Sequence, residues 1–194
     1  MKSICVFCGA NFNGDAVLKQ SVEQLAQTMV AKDITLIFGG GKVGVMGLLA
    51  DAVLGASGKA VGVIPKFLMD KEVGHTGITE LHVVDNMHQR KQMMADLCDG
   101  FIMLPGGFGT LEEFFEVLTW LQLGLHCNPI GILNVNGFYD PILKQMEVMI
   151  ENRFLKQTNR DLVLTSTDAA ELIHQMENIV IKPDEVWFKD KNLT

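Results

Sequence analysis

The stretch Phe101-Ile102-Met103-Leu104 carries the pattern that decides the fold. All four side chains are apolar, whereas a strand with one face in water alternates apolar and polar residues. A strand that is apolar along its whole length is typical of a parallel sheet covered by helices on both faces. Residues 60–64 form a second run of this kind. The sequence therefore contains at least two strands that we expect to lie inside such a sheet.

Similar apolar runs recur along the chain and alternate with longer segments of helical periodicity. The predicted strands are residues 4–8, 35–38, 60–64, 81–84, 101–104, 130–134 and 162–164. The predicted helices are residues 16–32, 44–57, 87–98, 110–124, 139–153 and 167–178. This alternation predicts an α/β fold, a single-domain doubly wound, Rossmann-like parallel sheet with helices on both faces. Ligands of such sheets bind beyond the carboxyl ends of the strands.

The length of 194 residues is typical of one domain. We expect residues 1–181 to form this domain and the polar residues 182–194 to form a C-terminal tail. No apolar stretch reaches the roughly 18 residues that a membrane-spanning helix needs. The N-terminus passes from one lysine directly into a predicted strand, without the apolar core and cleavage site of a signal peptide. These features predict a cytoplasmic protein.

Charge and cysteine content argue against several classes of function. A formal net charge of −7 disfavours binding to nucleic acid or to an anionic membrane, which requires clustered lysine and arginine. Cys5 and Cys8 have the spacing of a redox or zinc motif, but an odd spacing on a strand turns their side chains to opposite faces. We therefore expect buried thiols. No metal is predicted, because the i, i+4 partner of a helical zinc pair is missing for His75, His82, His126 and His174.

A glycine-rich turn at residues 39–47 lies between a predicted strand and a predicted helix. Its G-x-G-x-x-G spacing is that of a dinucleotide-binding turn, but the acidic residue expected about 20 positions later is missing. A Walker A loop is disfavoured too, because Val43 follows Lys42 where a serine or threonine would bind the metal. Two interpretations remain: the glycines bind a ligand, or they permit a tight turn and close packing of helix against strand.

The second glycine-rich turn, at residues 104–113, is more specific. Consecutive glycines let backbone N–H groups converge on an anion, and the positive end of a helix that begins near Thr110 would add to the attraction. This arrangement predicts a ligand that carries a phosphate. The alternative for Thr110 and Glu113 is structural, because Thr-x-x-Glu at a helix start also forms a capping box.

A second motif, Met87-His88-Gln89-Arg90-Lys91, lies upstream of this turn. Together with Pro-Gly-Gly-Phe-Gly-Thr-Leu-Glu-Glu at residues 105–113, it resembles the signature of the Lonely Guy (LOG) family of cytokinin riboside 5′-monophosphate phosphoribohydrolases. Members of this family were formerly described as lysine decarboxylases. The resemblance covers most of the chain, since it extends to residues 7–9, 39–47, 119–124 and 133–140.

The resemblance implies a homodimer, or a higher homo-oligomer, that hydrolyses cytokinin riboside 5′-monophosphates or AMP to free base and ribose 5-phosphate. It implies no cofactor. The pair that carries catalysis in the family corresponds to Arg90 and Glu113. Residues 73–79 depart from the pattern of the plant members, and this segment is a candidate for shaping the base pocket. The residues expected to contact the substrate are Glu72, Met87, Arg90, Lys91, Gly106, Gly107, Phe108, Gly109, Thr110, Leu111, Glu112, Glu113 and Thr119.

Cleavage of an N-glycosidic bond builds positive charge on the ribose and negative charge on the departing base. We expect Glu113 on the ribose side, where its carboxylate would offset the developing cation or orient the attacking water. We expect Arg90 to donate a hydrogen bond to a ring nitrogen of the base, because arginine does not release its proton in proteins. Lys91 and Thr119 would position the nucleotide, and residues 106–110 would hold the 5′-phosphate.

Two other functions use parts of the same pattern. A non-catalytic carrier of a phosphorylated cofactor, such as molybdenum cofactor, would use both glycine-rich turns, but the presence of both Arg90 and Glu113 counts against it. An amino-acid decarboxylase would need a lysine in Schiff-base linkage to pyridoxal phosphate and a partner for the pyridinium nitrogen. The sequence offers no such arrangement, so hydrolysis is the preferred interpretation.

Overall fold

The structure of the chain is a computed structural model that describes residues 1–69 and 74–181. Its strands are β1 (Ser3–Phe7), β2 (Thr35–Phe38), β3 (Ala60–Pro65), β4 (Glu80–Val84), β5 (Phe101–Met103), β6 (Ile130–Leu133) and β7 (Val163–Ser166). They form one sheet in the order β4-β3-β2-β1-β5-β6-β7. Every pair of neighbouring strands in this sheet is parallel. The predicted parallel sheet is confirmed.

The helices of the described residues are α1 (Ala16–Ala31), α2 (Gly44–Gly55), α3 (Lys66–Met69), α4 (Met87–Asp96), α5 (Phe108–Gln122), α6 (Asp140–Glu151), α7 (Gln157–Arg160) and α8 (Ala169–Asn178). A 3-10 turn at Val135–Gly137 follows β6. Each predicted element is present, with ends that shift by at most two residues. Single-turn helices α3 and α7 are too short to produce a periodic pattern. The predicted tail at residues 182–194 lies outside the described residues.

The side chains of β5 alternate between two hydrophobic cores. Phe101 and Met103 belong to the core that contains residues of α4, α5 and α6. Ile102 belongs to the core that contains residues of α1, α2 and α8. Full burial of one such side chain stabilises the fold by about 1.5–3 kcal/mol, and no position of β5 faces water. The prediction of helices on both faces is confirmed.

The two N-terminal cysteines lie in different cores. Cys5 belongs to the core beneath α4 and α5, and Cys8 belongs to the core beneath α1 and α2. The two sulfurs therefore do not form a redox pair, as expected from an odd spacing on a strand. Burial raises the pKa of both thiols well above the ordinary value, so they stay protonated at neutral pH.

Three helices begin at residues whose side chains cap the first turn. Asp15 accepts a hydrogen bond from the N–H of Leu18 at the start of α1. Asn86 accepts one from the N–H of Gln89 at the start of α4, and Asp168 accepts one from the N–H of Glu171 at the start of α8. A cap of this kind stabilises a helix by about 1 kcal/mol. Asn86 matters for the site, because it sets where the Met87–Lys91 motif enters its helix.

The strand order reverses at β1, which lies between β2 and β5. The chain leaves β1 towards α1 on one face of the sheet, and it leaves β5 towards α5 on the other face. Loops that diverge in this way open a crevice at the carboxyl end of the sheet, where doubly wound folds bind their ligands. Within the described part of the chain, no helix combines the length and the apolar character that a bilayer span requires.

Candidate active site

A cavity of about 610 Å³ opens where the strand order reverses. Its walls include Cys8 and Gly9 after β1, Gly106 and Gly107 after β5, and Arg90 of α4. The loops after β1 and β5 are joined by a hydrogen bond from the N–H of Gly9 to the carbonyl of Pro105, at 3.1 Å. The volume lies within the range of about 300–1,000 Å³ that is usual for small-molecule sites.

Helix α5 begins at the cavity, two residues earlier than predicted. Its N-cap is Gly107, and no side chain caps the first turn. The capping-box alternative for Thr110 and Glu113 is therefore wrong, because both residues lie inside the helix. The uncapped N–H groups and the positive end of α5 face a cavity that can hold an anion. All three glycines of this turn, Gly106, Gly107 and Gly109, line the cavity.

Gly106 allows Thr110 to pack beneath this turn. A Cβ atom on Gly106 would lie 2.1 Å from Oγ1 of Thr110 and 2.9 Å from the backbone nitrogen of Gly9. Thr110 is buried and still lines the cavity. The glycine is required because two loops and a helix start converge at this point, which only the folded chain brings together.

Arg90 is a buried arginine on the first turn of α4. Its Nη2 donates a hydrogen bond to the carbonyl oxygen of Gly39, at 3.2 Å. A Cβ atom on Gly39 would lie only 1.9 Å from that Nη2. A glycine is therefore needed at position 39, because a side chain there would prevent the guanidinium from approaching the end of β2. This contact corresponds to the close-packing interpretation, with an arginine as the packed group.

Arg90 and Glu113 meet across the cavity wall. Nη1 of Arg90 lies 3.9 Å from Oε1 of Glu113, and the two side chains are 7% and 13% exposed. This distance is too long for a hydrogen bond, so the two groups attract each other as an ion pair without a direct hydrogen bond between these atoms. The buried Nε of Arg90 has no hydrogen-bond partner among the described residues. An unpaired buried donor is costly, and a polar group of a ligand would remove that cost.

The other predicted site residues fall into two groups. Met87, Gly106, Gly107, Gly109, Thr110 and Glu112 line the same cavity as Arg90 and Glu113. Leu111 packs against the core of α4 and α5, and Phe108 projects outward with 93% of its surface exposed. Glu72 lies outside the described residues.

Lys91 and Thr119 do not line this cavity among the described residues. Nζ of Lys91 lies 2.6 Å from a carboxylate oxygen of Glu112 and 2.8 Å from one of Glu116. Partial burial lowers the pKa of Lys91, but the two carboxylates raise it by more, and the net shift is upward. Lys91 lines a second cavity of about 490 Å³, together with Trp120. Thr119 is exposed and donates its hydroxyl to the carbonyl of Phe115.

Several cavity residues are not among those predicted from the sequence. They follow the carboxyl ends of β1 and β6, which is the signal that would have found them. Asn136 adopts a left-handed backbone conformation with φ of 53°, which is uncommon outside glycine. Tyr139 supports this loop from below through a hydrogen bond to the carbonyl of Leu104. The additional lining residues include Asn11, Asn13, Asp15, Asn136 and Phe138.

The model of a family described as possible lysine decarboxylase matches residues 46–176. The chain is 44% identical to the probable cytokinin riboside 5′-monophosphate phosphoribohydrolase LOGL1 of Oryza sativa subsp. japonica, over 94% of this chain and 82% of that protein. It is 41% identical to the cytokinin riboside 5′-monophosphate phosphoribohydrolase LOG1 of Arabidopsis thaliana, over 97% of this chain and 88% of that protein. The chain belongs to the LOG family.

Solved structures share the fold of this LOG-family chain at lower sequence identity. The X-ray structure of TM1055 has a TM-score of 0.69 and 23% identity, and the match covers 92% of this chain and all of the other. A molybdenum cofactor carrier protein from Chlamydomonas reinhardtii has a TM-score of 0.66 and 16% identity, over 90% and 94% of the two chains. At such identities the likeness shows the fold alone.

Proposed function

We propose that the chain hydrolyses the N-glycosidic bond of adenine-type nucleoside 5′-monophosphates, cytokinin riboside 5′-monophosphates or AMP, to a free base and ribose 5-phosphate. One observation carries this proposal: buried Arg90 and partly buried Glu113 face each other in a cavity that also contains the uncapped start of α5. The relatives that are 41–44% identical are named cytokinin riboside 5′-monophosphate phosphoribohydrolases, one of them as probable. Amino-acid decarboxylation is not supported, because no lysine is among the described residues that line the cavity.

The phosphate would bind at the start of α5. Backbone N–H groups at residues 107–110 are not capped by a side chain, and the helix dipole favours a negative group at this end by about 0.3–1 kcal/mol or more in a partly buried site. Gly107 and Gly109 leave open space, since a Cβ atom on either would meet nothing within 4 Å. The backbone can therefore approach phosphate oxygens closely.

The ribose would lie between this turn and the Arg90–Glu113 pair. Glu113 would face the ribose, where its carboxylate stabilises the positive charge that develops on the ring and orients the attacking water. Arg90 would donate hydrogen bonds to the departing base, which takes up the electrons of the broken bond. Its partnerless Nε–H and its Nη1 are suitable donors, and a fixed donor in a partly buried site stabilises developing negative charge strongly.

The decisive experiment incubates the purified protein with AMP and isopentenyladenosine monophosphate, and follows the free base by chromatography. The matching nucleosides serve as substrates without phosphate. We expect base release from the monophosphates alone. Glu113→Gln should lower kcat by between about 10²- and 10⁴-fold, because it removes the carboxylate that meets the cationic transition state.

A matched control is Glu147→Gln, because Glu147 is also paired with an arginine, Arg160, but lies on α6 outside the cavity. This control should keep full activity. Base release by the Glu113→Gln variant at the wild-type rate would contradict the proposed role of the carboxylate. If the wild type released no base from any substrate, the carrier function would replace hydrolysis. Equal rates with nucleosides would contradict the phosphate site.

We also propose that the chain acts as a homodimer or a higher homo-oligomer. Two phenylalanines of α5 support this, since Phe108 is 93% and Phe115 is 37% exposed and both would be shielded by a second copy. Lys91 and Thr119 are not among the described residues that line the cavity of their own chain. Light scattering measures the oligomeric state, and a monomer would contradict the proposal.

A further inference from the structure

His75 is a buried histidine that the proposed reaction does not use. Only 4% of the residue is exposed. Nε2 lies 2.9 Å from Oδ1 of Asp51, whose side chain is 64% exposed on α2. The buried Nδ1 has no hydrogen-bond partner among the described residues. A carboxylate only accepts, so Nε2 is the donor of this pair.

The backbone next to His75 is tied to the first glycine-rich turn. The N–H of His75 donates to the carbonyl oxygen of Gly40, at 2.8 Å. Gly74 forms an antiparallel bridge with Gly41. Asp51 lies on α2, the helix that directly follows this turn. The His75–Asp51 hydrogen bond therefore links α2 to the Gly74–His75 segment, and both of these contact or continue the Gly39–Gly41 turn.

The same turn positions Arg90. The carbonyl oxygen of Gly39, one residue before Gly40, accepts the hydrogen bond from Nη2 of Arg90. The contact is close, because even a Cβ atom on Gly39 would overlap with the guanidinium. The other polar contacts of the Arg90 side chain with described residues are long, at 3.8 Å to the sulfur of Met87 and 3.9 Å to Glu113. A small displacement of the turn would therefore reorient the guanidinium.

We propose that the hydrogen bond between His75 and Asp51 is a positioning device that holds the Gly39–Gly41 turn, and through it Arg90, in the orientation that the reaction needs. The role in the reaction rests on the proposed function of Arg90. Neither His75 nor Asp51 is among the described residues that line the cavity. They are positioning residues, and their loss should impair turnover more than substrate binding.

The first test observes Arg90 directly and needs no activity. The chain contains three arginines, so a protein labelled with ¹⁵N-arginine gives few side-chain Nε–H signals, and the one lost in Arg90→Lys belongs to Arg90. We expect Asp51→Ala and His75→Ala to shift or broaden this signal. Asp51→Asn keeps an acceptor and His75→Gln keeps a donor, so both should preserve it. Asp51 is largely exposed, so Asp51→Ala should fold even where His75→Ala does not.

His82→Ala is the matched control, because His82 also pairs with a carboxylate, Glu80, but on the edge strand β4. It should leave the Arg90 signal unchanged. An unchanged signal in folded Asp51→Ala would overturn the proposal. The same shift in Asp51→Asn as in Asp51→Ala would also overturn it, since the hydrogen bond would then not be the link.

The second test measures steady-state kinetics with AMP for the same variants. A misplacement of about 1 Å in a positioning group can cost around 100-fold in rate, so Asp51→Ala should lower kcat by about 10- to 100-fold and leave KM within about twofold. Asp51→Asn should restore most of the rate. A loss confined to KM would overturn the positioning role. If the wild type does not hydrolyse AMP, the same variants are compared with isopentenyladenosine monophosphate. Inactivity on both substrates would refute the proposed function alone, and the Arg90 signal would still decide the role of the His75–Asp51 hydrogen bond.

Discussion

Replacing Gly39 with alanine tests whether the end of β2 positions Arg90. The new Cβ atom would lie 1.9 Å from Nη2 and 3.1 Å from Cζ of Arg90. Since ordinary contact begins near 3.4 Å, the guanidinium must move by about 1.5 Å. A displacement of this size at a catalytic group costs on the order of 100-fold in rate or more. Overpacking of a buried site costs about 1–3 kcal/mol of stability, which most domains tolerate.

We therefore expect Gly39→Ala to remain folded and to lose at least about 100-fold in kcat/KM for nucleoside monophosphates. Base release measured by chromatography gives the rate, and urea unfolding gives the stability. Gly55→Ala is a suitable control, because a Cβ atom there meets nothing within 4 Å; it should match the wild type in activity. A folded Gly39→Ala protein with kcat/KM close to that of the wild type would refute the reasoning.

Three further predictions address the phosphate turn, the thiols and the pH dependence of stability. Gly106→Ala forces its Cβ against Oγ1 of Thr110, so KM for AMP should rise by at least tenfold, and calorimetry should show weaker binding of ribose 5-phosphate. A thiol reagent should modify one cysteine, Cys127, in the native protein and four in denaturant, because the other three cysteines are buried. Burial lowers the pKa of His126 below 6.5, although a hydrogen bond to the carbonyl of Val117 opposes the shift. Between that lowered pKa and 6.5, the unfolded chain binds more protons than the folded one, so the free energy of unfolding should fall as the pH drops through this window. Urea unfolding measures this free energy, and the fall should be smaller in His126→Gln.

Each of these outcomes has a clear opposite. Unchanged ribose 5-phosphate binding by Gly106→Ala would place the phosphate elsewhere in the cavity. Rapid modification of more than one native thiol would mean that the cores open readily. An identical loss of stability with acid in the wild type and in His126→Gln would assign the pH dependence to other groups.

Much of the fold and part of the site could be predicted from the sequence. The strands are visible because each is a short, mainly apolar run, and α1, α2, α4, α5, α6 and α8 because apolar residues recur along them with helical spacing. The chemical types at Arg90 and Glu113 are visible because each lies in a recognisable motif. The predicted start of α5 lies two residues too late, because Thr-x-x-Glu satisfies the rules for a capping box and the sequence alone does not tell which turn the fold selects.

The sequence by itself determined the elements and the candidate chemistry, because strand and helix patterns depend on residues a few positions apart. The tertiary structure decided which residues meet. Gly39 and Arg90 are far apart in the chain, yet they touch because β2 ends beside α4. Lys91 follows Arg90 directly, yet it points to a different cavity because adjacent residues lie on different sides of a helix. Such contacts arise from strand order and helix packing, which are set by long-range burial of the two cores.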